Sequence, residues 1–262
     1  MARLQLAAPL FVPGNRPERF EKAAASGADA IIIDLEDAVA ADEKDAARAA
    51  LRAGFGGVPI IVRVNAPGTQ WHAADMAAIA GLDIAAVMVP KAETGSGFAA
   101  SPAGKPLIAL VETARGLADA RALAALDGVV LLAFGSIDFC ADLGCAHTRE
   151  ALSAARSEIV LASRLAGIAA PLDGVTTAID DAAAIESDAR HARELGFGGK
   201  LLIHPRQVAP ALAGLMPDAA EVAWAHRVVA AADGASKVDG AMVDAPVRLR
   251  AEAILSRARR SV

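Results

Sequence analysis

Two carboxylates follow consecutive apolar runs in the middle of the sequence. Glu112 comes directly after the run at 107–111, and Asp138 comes shortly after the run at 129–133. The neighbouring Ser and Asn side chains add only further oxygen atoms. Hard oxygen ligands suit Mg2+ or Mn2+ better than zinc, and Mg2+ usually takes one or two protein carboxylates together with water and substrate oxygens. The pair therefore predicts a magnesium site that substrate completes, with Mn2+ as the alternative ion.

A basic residue, Arg63, lies at the end of a third, strongly apolar run at 59–64. A buried guanidinium is costly unless it is paired. One interpretation is a salt bridge to Asp34 or Glu36, which follow another apolar run. The other is bidentate capture of a substrate carboxylate or of a developing oxyanion. The acids Asp34, Glu36 and Asp37 would either orient Arg63 and metal-bound water or act as a base, and the sequence leaves both open.

The spacing of the apolar runs indicates how these residues are positioned. Each run is rich in Val, Ile and Leu without alternation, which is typical of parallel strands that helices cover on the outside. The eight runs lie at 9–12, 30–33, 59–64, 86–89, 107–111, 129–133, 169–172 and 200–203. Eight strand–helix units predict an α/β fold, a (β/α)8 TIM barrel, with a doubly wound open sheet as the alternative. Chemistry in such barrels lies where each strand ends, as the polar residues above do.

Alanine-rich stretches after these runs predict the helices. Pro or Gly marks the ends of several of them. The predicted helices span 17–26, 41–53, 151–165, 180–195, 218–232 and 247–260, with a loop at about 234–246 between the last two. A barrel does not need the last two helices. We therefore divide the chain into a TIM barrel at 1–215 and a C-terminal helical extension at 216–262, which packs on a neighbouring subunit or folds back on its own barrel.

Composition excludes several functional classes. The net charge of −5 and the aromatic content of 3% argue against a nucleic-acid surface. No apolar stretch reaches the ~18 residues of a membrane span, so no membrane partner is expected despite the positive mean hydropathy. The start of the sequence lacks the layout of a signal peptide, and Cys140 and Cys145 lack a disulfide or zinc pattern. These features predict a cytoplasmic protein with reduced thiols.

Several motifs together resemble one family. They are LFVPGNRPERF at 10–20, DLEDAV at 34–39, RVN at 63–65, PK at 90–91, ET at 112–113, FG at 134–135 with Asp138, IHP at 203–205 and DGAMVDAP at 239–246. In this order they resemble the HpcH/HpaI aldolase/citrate lyase superfamily, within it the citrate lyase β-subunit-like (CitE-like) and malyl-CoA lyase branch. The resemblance runs from about residue 9 to 258.

The resemblance implies a TIM barrel that assembles as a homotrimer. It implies Mg2+ held by Glu112 and Asp138, with Glu112 and Arg63 at the substrate. The positions implied to line the coenzyme A and substrate site are Phe11, Arg16 and Lys22. Asp244 would be a catalytic acid supplied by the adjacent subunit. Relatives commonly carry an Arg-Ser pair before the first strand, and its replacement by the stretch at 6–9 here puts one N-terminal contact in doubt.

Two enzymatic hypotheses follow from the resemblance. The first is a magnesium-dependent carbon–carbon lyase that cleaves a 3-hydroxyacyl-CoA of the citryl-, malyl- or citramalyl-CoA type into a keto acid and acetyl-CoA or a similar thioester. The second is a magnesium-dependent class II pyruvate-type aldolase that acts on hydroxy acids without CoA. A non-enzymatic scaffold is a third reading, which the intact acid pair and Arg63 disfavour. Whether the protein works alone or with an acyl-carrier protein in a citrate lyase complex stays open.

Overall fold

The computed structural model describes residues 4–98, 104–231 and 236–258, and its centre is a sheet of eight parallel strands in sequential order. The strands are β1 (Leu10–Pro13), β2 (Ile31–Asp34), β3 (Ile60–Arg63), β4 (Ala86–Val89), β5 (Leu107–Val111), β6 (Val129–Phe134), β7 (Leu172–Asp173) and β8 (Gly199–Lys200). Leu10 forms a parallel bridge with Leu202, and the Phe11 amide donates to the Leu202 carbonyl at 2.8 Å. The two ends of the sheet thus meet, and the fold is TIM-barrel-like.

Both faces of the strands are buried, as their continuous apolar character indicates. In β2, Ile32 belongs to the cluster inside the curled sheet, whereas Ile31 and Ile33 belong to the cluster between sheet and helices. The same alternation carries Asp34, the next residue, to the inner side. Which residues of a strand face inward therefore decides whether the polar residue at its end points into the mouth of the barrel.

The helices begin and end at the expected kinds of residue. The α-helices are α1 (Phe20–Ala24), α2 (Lys44–Ala49), α3 (His72–Ile79), α4 (Ala114–Ala118), α5 (Ala120–Ala124), α6 (Ser136–Leu143), α7 (Arg149–Ala166), α8 (Ala182–Leu195), α9 (Val208–Leu215), α10 (Ala219–Ala230) and α11 (Ala245–Ala258). Thr148 and Asp181 accept hydrogen bonds from the first turns of α7 and α8, and Gly167 and Gly196 end these helices in the left-handed conformation. Within the described ranges, no helix combines the length and apolarity that crossing a bilayer requires.

The first two predicted helices are shorter than the sequence indicated. Short 3-10 turns at Pro17–Arg19 and Ala41–Glu43 precede α1 and α2, which end at Ala24 and Ala49. The strands predicted at 169–172 and 200–203 are reduced to two residues each, in part because Pro171 has no amide proton to donate to a ladder. Predicted residues 232, 259 and 260 lie outside the described ranges.

Asp173 shows how the alternation of side chains along a strand decides which way an acid at its end points. Leu172 lies in the inner cluster, so Asp173 faces the helices, where Arg156 Nε donates to it at 2.8 Å and Lys200 Nζ at 3.2 Å. Burial alone would raise the pKa of Asp173, but Lys200 and Arg156 outweigh it and lower that pKa. Asp173 also ends a strand, but it does not join the acids at the mouth, since it is part of a buried ion cluster with Arg156 of α7.

The C-terminal segment has its own small core. Helices α10 and α11 pack on each other through residues that include Ala225, Val228 and Leu255. Between them, where a loop was predicted, strands β9 (Ser236–Val238) and β10 (Ala241–Val243) form an antiparallel hairpin. Asp239 and Gly240, both at positive φ, form its two-residue turn. The Asp-Gly pair was the sequence signal for this hairpin.

Gly214 permits the close approach of α8 and α9. A Cβ at this position would lie 2.2 Å from the Glu186 carbonyl oxygen, which belongs to the backbone of α8 and cannot move aside alone. We expect Gly214→Ala to lower the free energy of unfolding by roughly 1–3 kcal/mol, the usual cost of overpacking. Urea unfolding followed by circular dichroism measures this change.

Gly81→Ala is the matched control, because no atom lies within 4 Å of a Cβ at Gly81 and its φ is not in the left-handed region. Its effect should stay within about 0.5 kcal/mol. Equal stability of the two variants would contradict the packing described for α8 and α9.

Candidate active site

A cavity of about 380 Å³ opens at the carboxyl ends of the strands. Asp34 and Asp37 line it, together with four other residues singled out in the sequence, namely Phe11, Arg63, Glu112 and Asp138. These four come from β1, β3, the end of β5 and the start of α6, so distant parts of the chain converge there. This is the end of the barrel at which enzymes of this architecture place their chemistry.

Arg63 is held from three sides. Its Nε and Nη2 atoms each donate to a different oxygen of Asp34 at 2.7 Å, and its Nη1 lies 3.0 Å from Glu36 Oε2. The guanidinium carbon also lies 4.9 Å from the ring centroid of Phe11, in a cation–π arrangement. Burial disfavours the charged guanidinium, but Asp34 and then Glu36 outweigh it and raise the pKa of Arg63.

This geometry bears on the two interpretations of Arg63. The salt bridges to Asp34 and Glu36 are both present. The Nε–Nη2 edge, which a carboxylate would use for two parallel hydrogen bonds, is taken by Asp34. Arg63 therefore faces the cavity as a fixed positive charge with that edge already occupied, and the neighbouring acids form the shell that orients it.

Glu112 is almost completely buried, and only one of its two carboxylate oxygens accepts a hydrogen bond from a described residue. Its Oε1 accepts a 2.8 Å hydrogen bond from the Lys91 amide, whereas its Oε2 has no hydrogen-bond partner among the described residues. Burial and the nearby Glu36 raise the pKa of Glu112 to about 8. A Cβ on Gly135 would lie 2.4 Å from this Oε2, so only glycine leaves room for the carboxylate there.

Asp138 lies in the first turn of α6 and completes the acid pair. It is close enough to Glu112 for its charge to contribute to the raised pKa of Glu112. No described residue donates a hydrogen bond to the Asp138 carboxylate. Two carboxylates, one buried with a free oxygen and one unpartnered, form an oxygen donor set of the kind that hard divalent cations prefer. The described residues contain no cluster of three or more His, Cys, Asp or Glu with the geometry of a metal site, so water or substrate would supply the remaining ligands.

Lys91 connects the two groups of acids. Its Nζ donates to Glu36 Oε1 at 2.8 Å while its amide binds Glu112, and its backbone is left-handed with φ of 47°. Such a conformation is costly for a residue with a side chain and persists where the surroundings enforce it. The sequence singled out Lys91 only as part of the PK motif at 90–91, and the structure shows it ion-paired with Glu36.

Three residues implied by the resemblance do not line the cavity within one chain. Arg16 and Lys22 are exposed after β1, where Arg16 Nε donates to Glu18 at 2.6 Å. Asp244 is exposed at the start of α11, where its Oδ1 accepts from the Val247 amide at 3.1 Å. The cavity also has apolar lining from Val175 and Ile203, which lie shortly after β7 and β8 and which sequence reasoning did not assign to the site.

Comparison with known proteins places the chain in a family. The model of the HpcH/HpaI aldolase/citrate lyase family matches residues 8–205. A citrate lyase subunit beta-like protein of Mycobacterium tuberculosis is 42% identical, with 95% of this chain and 94% of that protein covered. A (3S)-malyl-CoA thioesterase of Cereibacter sphaeroides is 36% identical, with 90% and 88% covered.

A solved structure agrees with these sequence matches. The crystal structure of CitE from Mycobacterium tuberculosis, in complex with magnesium, acetoacetate and coenzyme A, is 40% identical and has a TM-score of 0.89, with 98% of this chain and 99% of that chain covered. The motifs, the strand order and these matches agree on one assignment. The chain belongs to the HpcH/HpaI aldolase/citrate lyase family, among its citrate lyase beta-like proteins.

Proposed function

We propose that the protein is a magnesium-dependent carbon–carbon lyase that cleaves a 3-hydroxyacyl-CoA thioester into a keto acid and acetyl-CoA or a similar thioester. The observation that carries the proposal is the buried Glu112 Oε2, which has no partner among the described residues and lies beside Asp138 at the cavity. The similarity to a CitE whose crystals hold magnesium, acetoacetate and coenzyme A supports the same chemistry.

Magnesium fits the residues that are present. Glu112 and Asp138 would hold it, with Mn2+ as an alternative ion. A bound divalent cation would offset the burial and the Glu36 charge that raise the pKa of Glu112. When bound, the ion supplies Lewis-acid stabilisation of the carboxylate and hydroxyl oxygens of the substrate.

The reaction breaks one carbon–carbon bond and transfers two protons, one from the substrate hydroxyl and one to the carbon that is released. A base takes the proton of the substrate hydroxyl, the bond between the carbinol carbon and the thioester α-carbon breaks, and the hydroxyl oxygen becomes the keto oxygen. The electron pair stays on the α-carbon as the enolate of the thioester, which then takes up a proton. Arg63, fixed by Asp34 and Glu36, contributes positive charge where negative charge moves.

Coenzyme A is assigned to the rim beside β1. We propose that Phe11, at the cavity, and the exposed Arg16 and Lys22 contact the thioester and the rest of the coenzyme. Exposed cations suit the phosphates of coenzyme A. A CoA-free aldolase would have no use for these residues, so stabilisation by a CoA thioester, but not by pyruvate with Mg2+ alone, separates the two hypotheses.

We further propose that the protein is a homotrimer in which each site is shared. Residues 216–262 would pack on the neighbouring subunit, and Asp244 would there give its proton to the enolate carbon. The position of Asp244 supports this arrangement, since it is exposed at the start of α11 and does not line the cavity of its own chain.

Glu112→Gln tests the metal assignment. The substitution keeps the size of the side chain but removes the charge, so we expect the affinity for Mg2+ to fall by about 100-fold or more and lyase turnover to be lost. Titration calorimetry with MgCl2 measures binding, and release of keto acid from citramalyl-CoA and malyl-CoA measures turnover. Release of free CoA without keto acid would instead indicate thioester hydrolysis.

The matched control is Glu150→Gln, an exposed carboxylate in the first turn of α7. It should bind Mg2+ and turn over like the unsubstituted protein. Unchanged Mg2+ binding in the Glu112 variant would refute the metal site.

Mixed oligomers test the shared site. Asp244→Asn retains a good helix cap and should fold, yet alone it should be inactive, as should Glu112→Gln. In a trimer assembled from equal amounts of both variants, about one quarter of the sites combine an intact Glu112 with an intact Asp244 from the neighbour. Activity recovered to about that level is expected in the co-expressed mixture. No recovery, with trimers confirmed by light scattering, would contradict the sharing of Asp244.

A further inference from the structure

The C-terminal end of α6 brings together both cysteines of the chain, Cys140 and Cys145. We call these two residues the thiol pair. Their sulfur atoms lie 3.6 Å apart, with the Cys145 thiol donating to Cys140 Sγ, and both thiols are reduced. Cys140 is buried, whereas Cys145 is partly exposed. Neither is among the described residues that line the cavity, so the proposed lyase function leaves the thiol pair without a role.

The backbone at the end of α6 explains why these two side chains meet. Gly144 ends the helix in the left-handed conformation, and its amide donates to the Cys140 carbonyl at 2.9 Å. The Cys145 amide donates to the same carbonyl at 3.1 Å. The second bond is of the kind found in the Schellman motif, in which the side chains at the two ends of the bond contact each other. The thiol pair occupies these two positions, so the backbone holds the sulfurs together without a covalent bond.

The separation of the sulfurs is small enough for a disulfide to form in place. The sulfur atoms of a disulfide lie about 2.0 Å apart. Sulfurs that are 3.6 Å apart must therefore approach by about 1.6 Å, which is on the scale of side-chain rotation. An aliphatic pair would fill the same contact equally well, yet both cysteines of the chain are at these two positions.

Exposure decides which thiol reacts first. Cys145 is accessible to a reagent in solution, whereas burial, and then the hydrogen bond from Cys145, raise the pKa of Cys140 to about 11 and make it a poor first nucleophile. The Cys145 thiolate attacks one sulfur of glutathione disulfide, the S–S bond of the reagent breaks, and one glutathione leaves as its thiolate. A mixed disulfide at Cys145 remains, and its protein sulfur lies beside Cys140.

The second step closes the bridge. Cys140 gives its proton to water and attacks Cys145 Sγ, the bond to the bound glutathione breaks, and the second glutathione leaves. The protein loses two electrons and two protons, and one glutathione disulfide is reduced to two glutathione thiols. Cys140 reacts in this scheme only with a sulfur that the fold already holds next to it.

We propose that Cys140 and Cys145 form a reversible modification site, which small disulfides of the glutathione class close to an intramolecular disulfide and which thiols reopen. The site lies on an element of the candidate active site, since Asp138 is in the first turn of α6. His147 Nε2, close after Cys145 in the chain, lies 2.9 Å from Ser136 Oγ of the cavity lining. This inference goes beyond the proposed lyase function and does not depend on it, because every test below measures thiol chemistry.

The first measurement treats the folded, unsubstituted protein with glutathione disulfide and counts thiols after denaturation. We expect the count to fall from two to zero per chain, with a mass loss of about two hydrogen atoms, and dithiothreitol to restore both thiols. Electrophoresis without reductant should show single chains. Two persisting thiols, a retained glutathione mass or a disulfide-linked dimer would each overturn the inference.

Two matched variants test the order of the steps. Cys140→Ser removes the thiol that closes the bridge, so this variant should stop at the mixed disulfide, with one glutathione on Cys145. Cys145→Ser leaves only the buried Cys140, and its reaction with glutathione disulfide should be slower by at least about tenfold. Equal rates in the two variants would contradict the assignment of Cys145 as the thiol that reacts first.

The redox equilibrium tests whether the fold holds the sulfurs together, beyond their nearness in sequence. The equilibrium constant for closing the bridge is measured in glutathione buffers, with the folded protein and again with the protein unfolded in urea. We expect a constant at least about tenfold larger for the folded protein, because its sulfurs already lie 3.6 Å apart. An equal or smaller constant for the folded protein would overturn the inference.

Discussion

An excess of negative charge at the mouth of the barrel is the constraint on which the rest of the site depends. Five carboxylates meet there, those of Asp34, Glu36, Asp37, Glu112 and Asp138, and three cations pair with or lie beside them, Arg63, Lys91 and Lys44. Asp34 and Glu36 are paired by direct contacts, whereas Glu112 has Lys91 Nζ only at 4.0 Å and its Oε2 has no hydrogen-bond partner among the described residues. A divalent cation bound between Glu112 and Asp138, as proposed above, would offset this excess of negative charge.

The excess of negative charge is confined to one end of the barrel. Below the mouth, the interior of the curled sheet is filled by apolar side chains such as Ile32, Ile61 and Met88, all fully buried. Outside the sheet, the buried Asp173 has both Arg156 and Lys200 as partners, so its charge is paired. The carboxylate of Asp173 thus has two cations as partners, whereas the acid pair at the cavity is short of partners, which distinguishes a binding site from a structural ion cluster.

The sequence predicted the parts of the site that strand order alone fixes. Glu112 and Asp138 follow β5 and β6, which are neighbours, and Arg63 ends β3, so any barrel of consecutive strands brings them to one mouth. Asp173 could not be predicted in this way, because β7 has two residues after Pro171 and too little apolar pattern to define its inner side. The apolar lining by Val175 and Ile203 was missed for a related reason, since these residues follow the shortest strands, where the sequence pattern defines orientation least.

The left-handed backbone of Lys91 explains how one oxygen of Glu112 is held by a hydrogen bond while the other has no partner among the described residues. A residue at φ of 47° turns its amide toward Glu112 Oε1, and the same residue sends its ammonium to Glu36. One oxygen of Glu112 is thereby hydrogen-bonded to the backbone at 2.8 Å, and the other oxygen, Oε2, is buried beside Gly135, whose lack of a side chain leaves room for it. The strain is sustained because Lys91 is tied at both ends, to Glu112 and to Glu36. Since Glu36 also contacts Arg63, the orientation of the metal-facing oxygen and that of the guanidinium depend on one connected set of hydrogen bonds and ion pairs.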